Sequence, residues 1–165
     1  MRRLAEFKEQ IGYLTVVQNN STTDYLRLAY LQALSVKATQ RNNSYAVMVD
    51  ESTKQAMPEH YHQVFDYVID IPFQDDASND EWKLANEWKV WCVTPFKETI
   101  KLEADLILPS SIDHWIPMLR HRDIVFTTQA KDYRGYISNC RRYRQLFDDN
   151  NLPNAYNGFS YFRYT

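Results

Sequence analysis

Two short apolar runs constrain this chain most: Tyr13-Leu14-Thr15-Val16-Val17 and Tyr45-Ala46-Val47-Met48-Val49. Each is short and rich in residues that favour strands, so each reads as a buried strand. Polar residues end both, Gln18-Asn19-Asn20-Ser21 after the first and Asp50-Glu51 after the second. Between them Leu26, Ala29, Tyr30, Ala33 and Leu34 recur at helical spacing. Thr22, Thr23 and Asp24 offer capping oxygens, and Asn42-Asn43 breaks the pattern. A strand, a helix from about Thr23 and a second strand open an α/β fold.

The alternation continues. Residues 51–57 predict a short helix, with Pro58 at its boundary. Residues 65–71 predict a third strand, 74–80 a polar loop, and 82–93 a helix ending before Pro95. A strand over 99–102 should stop near Glu103-Ala104-Asp105, with Leu106-Ile107-Leu108 following and Pro109 closing that segment. Ser111 is placed to cap a helix over 112–119, bent at Pro117. Residues 124–127 read as a strand, 141–148 as a helix and 156–164 as a final aromatic-rich strand. The order predicts an α/β sandwich with a largely parallel sheet. Ligands bind such sheets outside the carboxyl ends of the strands. Attention therefore falls on Gln18-Asn19-Asn20, Asp50-Glu51 and Glu103-Ala104-Asp105.

Composition narrows the function classes. At 44% hydrophobic and 15% aromatic over 165 residues, the chain can bury a core, and it is read as one domain over 1–165. Three glycines leave no Gly-rich phosphate loop. A net charge of −2 gives no electrostatic reason to expect a nucleic-acid backbone as partner. Cys92 and Cys140 make no disulfide framework, and the charged start Met1-Arg2-Arg3-Leu4-Ala5-Glu6 lacks the apolar stretch of a signal peptide. No run approaches the roughly 20 apolar residues of a membrane span. The expectation is a soluble, cytoplasmic protein without a membrane partner.

Glu103 and Asp105 stand one residue apart where a strand ends. Hard divalent cations take oxygen ligands, and two carboxylates on one turn can hold a metal against a diphosphate. Acidic-x-acidic triplets are also common as solvated strand ends, so spacing alone is a weak signal.

Context adds to it. The stretch from Leu84-Ala85-Asn86-Glu87-Trp88-Lys89 through Leu102-Glu103-Ala104-Asp105-Leu106-Ile107-Leu108 resembles the glycogenin-like retaining glycosyltransferases. Ser111-Ile112-Asp113-His114-Trp115, Val64-Phe65-Asp66-Tyr67-Val68-Ile69, Tyr25 with Ala33-Leu34-Ser35-Val36-Lys37, and Asn154-Ala155-Tyr156-Asn157-Gly158-Phe159 are similar to further motifs of that family, in its order. The resemblance implies a GT-A-like, Rossmann-like three-layer sandwich that transfers a sugar from a nucleotide-diphosphate donor to an acceptor glycan, protein or nucleic acid. It implies Mn²⁺ or Mg²⁺ held by Asp105 and Glu103, the latter a departure from the family's aspartate. Ala104 would let the backbone approach the nucleotide, with Gln18, Asn19 and Tyr25 near the base and Lys89 near the diphosphate or sugar. Asn157 and Gly158 would lie on the acceptor side. The family's third metal ligand, a histidine in a later motif, is not among these residues, which implies a minimal or truncated member with its acceptor half short or missing.

Blander readings stand beside these. His60 and His62 read as surface histidines, and Trp88 with Trp91 as one buried helix face. Arg134, Arg141, Arg142 and Arg144 with Tyr133, Tyr136 and Tyr143 could meet a nucleic-acid strand or sugar polymer, although an exposed helix face is the simpler reading. A non-catalytic binding module of the same fold is the alternative function. A nucleotidyltransferase shares the plan but lacks its Gly-rich signature here.

Overall fold

The computed structural model describes residues 3–80, 83–127, 131, 134, 135, 149 and 156–165. Its first unit is β1 (Glu9–Val17), α1 (Tyr25–Thr39) and β2 (Tyr45–Val49). The Asp24 carboxylate accepts the Arg27 N–H and caps α1, and the Gln40 N–H closes its far end on Val36. Leu26, Ala29, Gln32, Ala33 and Val36 form the buried stripe of α1, and every residue of β2 is buried. β1 begins four residues before its apolar run, because parallel pairing with β4 (Phe96–Leu102) already starts at Glu9 opposite Phe96. Gly12 is required within it. A Cβ there would lie 2.3 Å from the Phe96 ring.

After β2 come α2 (Glu51–Gln55), a 3-10 turn at Glu59–Gln63 and β3 (Tyr67–Asp70). α3 (Val90–Val93) precedes β4, and α4 (Ile116–Leu119) precedes the antiparallel pair β5 (Ile124–Thr127) and β6 (Tyr156–Arg163). The six strands form one sheet in the order β3-β2-β1-β4-β6-β5. β1 to β4 pair in parallel, and only β6 runs against the rest. One face of the sheet buries Tyr13, Val17, Tyr45, Val47, Ile100 and Leu102 under α1. The other buries Leu14, Val16, Met48, Phe96 and Phe162 under α3. This is the α/β sandwich with a mostly parallel sheet that the alternation predicts.

Three local expectations are corrected. The helix over 82–93 is reduced, in its described part, to a 3-10 turn at Glu87–Lys89 and the single turn α3. The tighter 3-10 winding rotates Trp88 away from Trp91. Trp88 is exposed and stacks on Phe73, while Trp91 stacks on Phe162 at 4.0 Å. The helix over 112–119 likewise begins as a 3-10 turn at Asp113–Trp115, because Pro117 sits in the first turn of α4 and has no N–H to donate. The predicted strand over 65–71 forms only from Tyr67 to Asp70, since Phe65 turns into the core instead. The predicted helix over 141–148 and Trp82 lie outside the described residues, as does the basic, aromatic stretch apart from Arg134.

Candidate functional site at the carboxyl edge of the sheet

β1 leads through α1 to β2 on one side, whereas its other neighbour, β4, is reached from β3. The loops after β1 and β4 therefore diverge, and that topological switch point is where open α/β sheets bind ligands. The turn carrying Glu103, Ala104 and Asp105 stands there.

The turn is pinned from several directions. The Leu106 N–H donates to the Glu103 carbonyl at 3.2 Å, and the Glu103 N–H donates to the Gly158 carbonyl at 3.1 Å. The Thr15 hydroxyl donates to the Leu102 carbonyl at 2.8 Å. From α1, Gln32 Nε2 donates to the Glu103 and Leu106 carbonyls at 2.5 and 2.9 Å. Ala104 is buried, Glu103 is half-buried and Asp105 is exposed. Asp105 is thus presented to solvent on a fixed backbone, with Glu103 half-buried beside it, and Gly158 abuts the turn. Asn157 precedes Gly158 on β6.

Below the turn, α1 presents a polar seam to the segment that follows β4. Ser35 Oγ accepts the Leu108 N–H at 3.1 Å, and Thr39 Oγ1 donates to the Leu108 carbonyl at 3.2 Å. Gln40 donates to the Ser110 carbonyl at 3.0 Å and accepts the Ile112 N–H at 2.9 Å. Backbone groups that no strand could satisfy are satisfied by one helix.

Over the ends of β1, β2 and β3 lies a cleft of about 1040 Å³. Asn19, Asn20 and Ser21 form one wall. Asp50, Glu51, Asp70, Asp75 and Asp80 line it with Lys83, and Lys54 pairs with Asp70 at 2.6 Å. Phe73 stands at its margin, 66% exposed, with a φ of 65° that a bulky residue rarely adopts.

The side chains around the cleft are tied to one another. Gln18 is buried. Its amide donates to Asp75 at 3.0 Å and accepts from Asn86 at 2.7 Å. Asn86 also reaches Asp75 at 2.6 Å. Burial pushes the Asp75 carboxyl up, but hydrogen bonds from Asn86, the Ala77 N–H and Gln18, with Lys83 nearby, outweigh it and hold it below the usual range. Asn19 accepts the Leu26 N–H at 2.9 Å and donates to Asp24 at 3.2 Å, so it serves the start of α1. Tyr25, half-buried at the head of α1, packs on the core. Lys89 is fully buried, donating to the Gln74 carbonyl and pairing with Asp76 at 2.9 Å. That ammonium is the main reason the Asp76 carboxyl lies below its usual range. Lys89 reaches a donor only by releasing both partners.

The structure therefore brings Glu103, Ala104, Asp105 and Gly158 together, and it buries Gln18 and Lys89 behind the neighbouring cleft, tied to residues 74–76. Three contributors escaped sequence reasoning: Gln32, Asn86 and Asp75. Gln32 left one trace, a lone amide on the otherwise apolar stripe of α1. Among the described residues no three or more His, Cys, Asp or Glu are grouped so that they alone could hold a metal ion, His60 and His62 included. Two carboxylates are a donor set that suits Mg²⁺ or Mn²⁺ when a substrate's phosphates and waters complete the shell. No helix among the described residues is long and apolar enough to cross a membrane.

No protein-family model matches the sequence, and no curated protein does. By structure the chain is similar to mouse xyloside xylosyltransferase 1 in its apo form, with a TM-score of 0.54 at 10% identity over 96% of this chain and 67% of that one. It is also similar to 4-diphosphocytidyl-2C-methyl-D-erythritol synthase from Anaerococcus prevotii DSM 20548, with a TM-score of 0.49 at 10% identity over 94% and 71%. At such identity the likeness is one of architecture: the chain has a GT-A-like, Rossmann-like α/β fold.

Proposed function

We propose that the chain binds a nucleotide-diphosphate sugar at the carboxyl edge of its sheet and is a metal-dependent glycosyltransferase domain. The observation that carries this reading is the turn after β4, which holds Glu103 and Asp105 at the switch point of the sheet. The similarly folded mouse protein is by name a xylosyltransferase, which supports it.

In this reading Asp105, exposed on the turn, is the firmer ligand of Mn²⁺ or Mg²⁺, and Glu103 touches the metal or the donor ribose. When bound, the cation supplies charge neutralisation at the departing nucleotide. The small Ala104 lets the backbone come close to the donor. The cleft over β1 to β3 takes the nucleoside end, beside Asn19 and the start of α1 at Tyr25. In this reading the diphosphate lies toward the Glu103 turn, where a bound cation offsets its charge. Asn157 and Gly158 face the acceptor. Gln18 and Lys89 hold residues 74–76, of which Asp75 lines the cleft, from behind.

The test is thermal shift of the protein with a panel of nucleoside diphosphates and their sugars, with and without Mn²⁺. A ligand that binds only the folded state stabilises it by about 2.7 kcal/mol at a hundredfold excess over Kd. A metal-dependent shift for one nucleotide sugar is expected, and a flat panel refutes the reading. Donor hydrolysis with Mn²⁺ then separates an enzyme from a binding module of the same fold, which binds without turnover.

A further inference from the structure

Gln32 is fully buried in the middle of α1, on a stripe otherwise made of Leu26, Ala29, Ala33 and Val36. An unpaired amide there would cost about 1–3 kcal/mol, so its partners define what it does. The side chain has three. Nε2 donates at 2.5 Å to the Glu103 carbonyl and at 2.9 Å to the Leu106 carbonyl, the first and last residues of the acidic turn. Oε1 accepts the Tyr45 hydroxyl at 2.5 Å. Tyr45 is fully buried at the start of β2, and burial holds its hydroxyl in the protonated form, well above the ordinary tyrosine range.

The orientation follows from this chemistry. The two backbone carbonyls of the turn can only accept, so the NH₂ end of the amide faces them and its two hydrogens match the two oxygens. Oε1 then accepts the hydrogen of the protonated Tyr45 hydroxyl, which holds the amide in that orientation. The lower part of the seam, Ser35, Thr39 and Gln40, anchors residues 108–112 and does not touch the turn. Gln32 is the α1 side chain whose hydrogen bonds bracket Glu103, Ala104 and Asp105.

We infer that Gln32, oriented by Tyr45, is a positioning residue that sets the backbone of the Glu103–Asp105 turn and thereby its affinity for a divalent cation. This rests on the donor-site reading above. Groups behind the ligands of a metal site typically change metal affinity by about 10- to 100-fold when removed. Gln32 acts on the backbone that carries both carboxylates rather than on either carboxylate.

The decisive variant is Gln32→Met, which nearly keeps volume and helix propensity and removes both donated bonds. Tyr45→Phe keeps the ring and removes only the orienting hydroxyl, and it serves if Gln32→Met does not fold. Two quantities are read on each folded protein. The first is Mn²⁺ affinity with nucleoside diphosphate present, from the free-ion EPR signal, beside nucleotide affinity without metal. The second is amide hydrogen exchange at Glu103 and Leu106, with Val47 and Val49 of β2 as reference. The expected result is Mn²⁺ binding weakened at least tenfold, metal-free nucleotide affinity unchanged, and protection lost at Leu106 but not in β2. A merely structural role would lower protection throughout and leave the metal term alone. Unchanged Mn²⁺ affinity in a folded Gln32→Met overturns the inference. If the wild-type protein itself binds no Mn²⁺ with nucleotide, the donor-site reading fails and the metal part of the inference falls with it. The exchange data then show separately whether Gln32 sets the turn.

Discussion

Replacing Gly12 by Ala tests the packing beneath the site. The Cβ introduced would lie 2.3, 2.5 and 2.6 Å from three atoms of the Phe96 ring, where ordinary contact begins near 3.4 Å. The ring or strand β1 must yield by roughly an ångström. Phe96 is fully buried, meets Tyr67 edge-on at 5.7 Å, and belongs to the cluster with Leu14, Val16, Met48 and Phe162. It has no open side to move into. Overpacking of this kind costs about 1–3 kcal/mol. Alanine recovers about 0.5–1 kcal/mol by restricting the unfolded chain, so the net loss centres on about 1 kcal/mol. For a chain of this size that lowers Tm by about 2–4 °C. Thermal unfolding followed by far-UV circular dichroism measures it. The double variant Gly12→Ala with Phe96→Leu should lose less than the two single losses added, because the smaller side chain makes room. An unchanged or raised Tm for Gly12→Ala would refute the claim that this approach dictates glycine.

Three further outcomes are expected. Asp105→Ala, exposed on its turn, should leave stability within about 0.5 kcal/mol of wild type while abolishing metal-dependent donor binding; calorimetric titration with unchanged binding removes Asp105 from the site. Lys89→Met should destabilise by about 1–3 kcal/mol, because the buried ammonium's hydrogen bond to the Gln74 carbonyl and its pairing with Asp76 are lost; chemical denaturation should show this, and an unaffected midpoint with lost donor binding would return Lys89 to the donor. Stability should also fall on acidification. Glu98 is pushed up by burial but pulled down further by Arg120, Gln10 and Tyr161, and its net shift is downward, as are those of Asp75 and Asp76. A lowered folded-state value stabilises above the unfolded value and is lost as pH drops through the folded one. Tm should therefore hold near neutrality and decline below the ordinary carboxylate range, less steeply in Glu98→Gln; equal slopes would refute the assignment.

β1 and β2 were legible because each buries a nearly continuous apolar run, so β2 appears at its predicted bounds, and the alternation of elements agrees with the mostly parallel sheet. Where apolar pattern and local geometry disagree, the reading fails. Trp88 and Trp91 have the spacing of one helical face, yet a 3-10 turn separates them. The antiparallel direction of β6 left no mark in composition, since direction is set by connection and not by side-chain type. At the site, Glu103 and Asp105 could be named from their place after a strand, but not the amide that holds them.

Partners made from residues distant in sequence explain this difference. Gln18 looked like a free amide beside a base, but Asn86 and Asp75 lie 68 and 57 positions away and engage it. Lys89 looked like a cation for phosphate, but the loop that turns back over it supplies Gln74 and Asp76. Asn19 was spent locally on Asp24 and Leu26, a capping role that the same Asp24 already announced. Asp105 differs in kind: its turn is fixed through backbone carbonyls and amides, which leaves the carboxylate exposed on the solvent side. A polar residue serves a ligand only after the fold has finished with it, and by that criterion the turn after β4 is a stronger candidate for charge-bearing chemistry than the polar residues after β1.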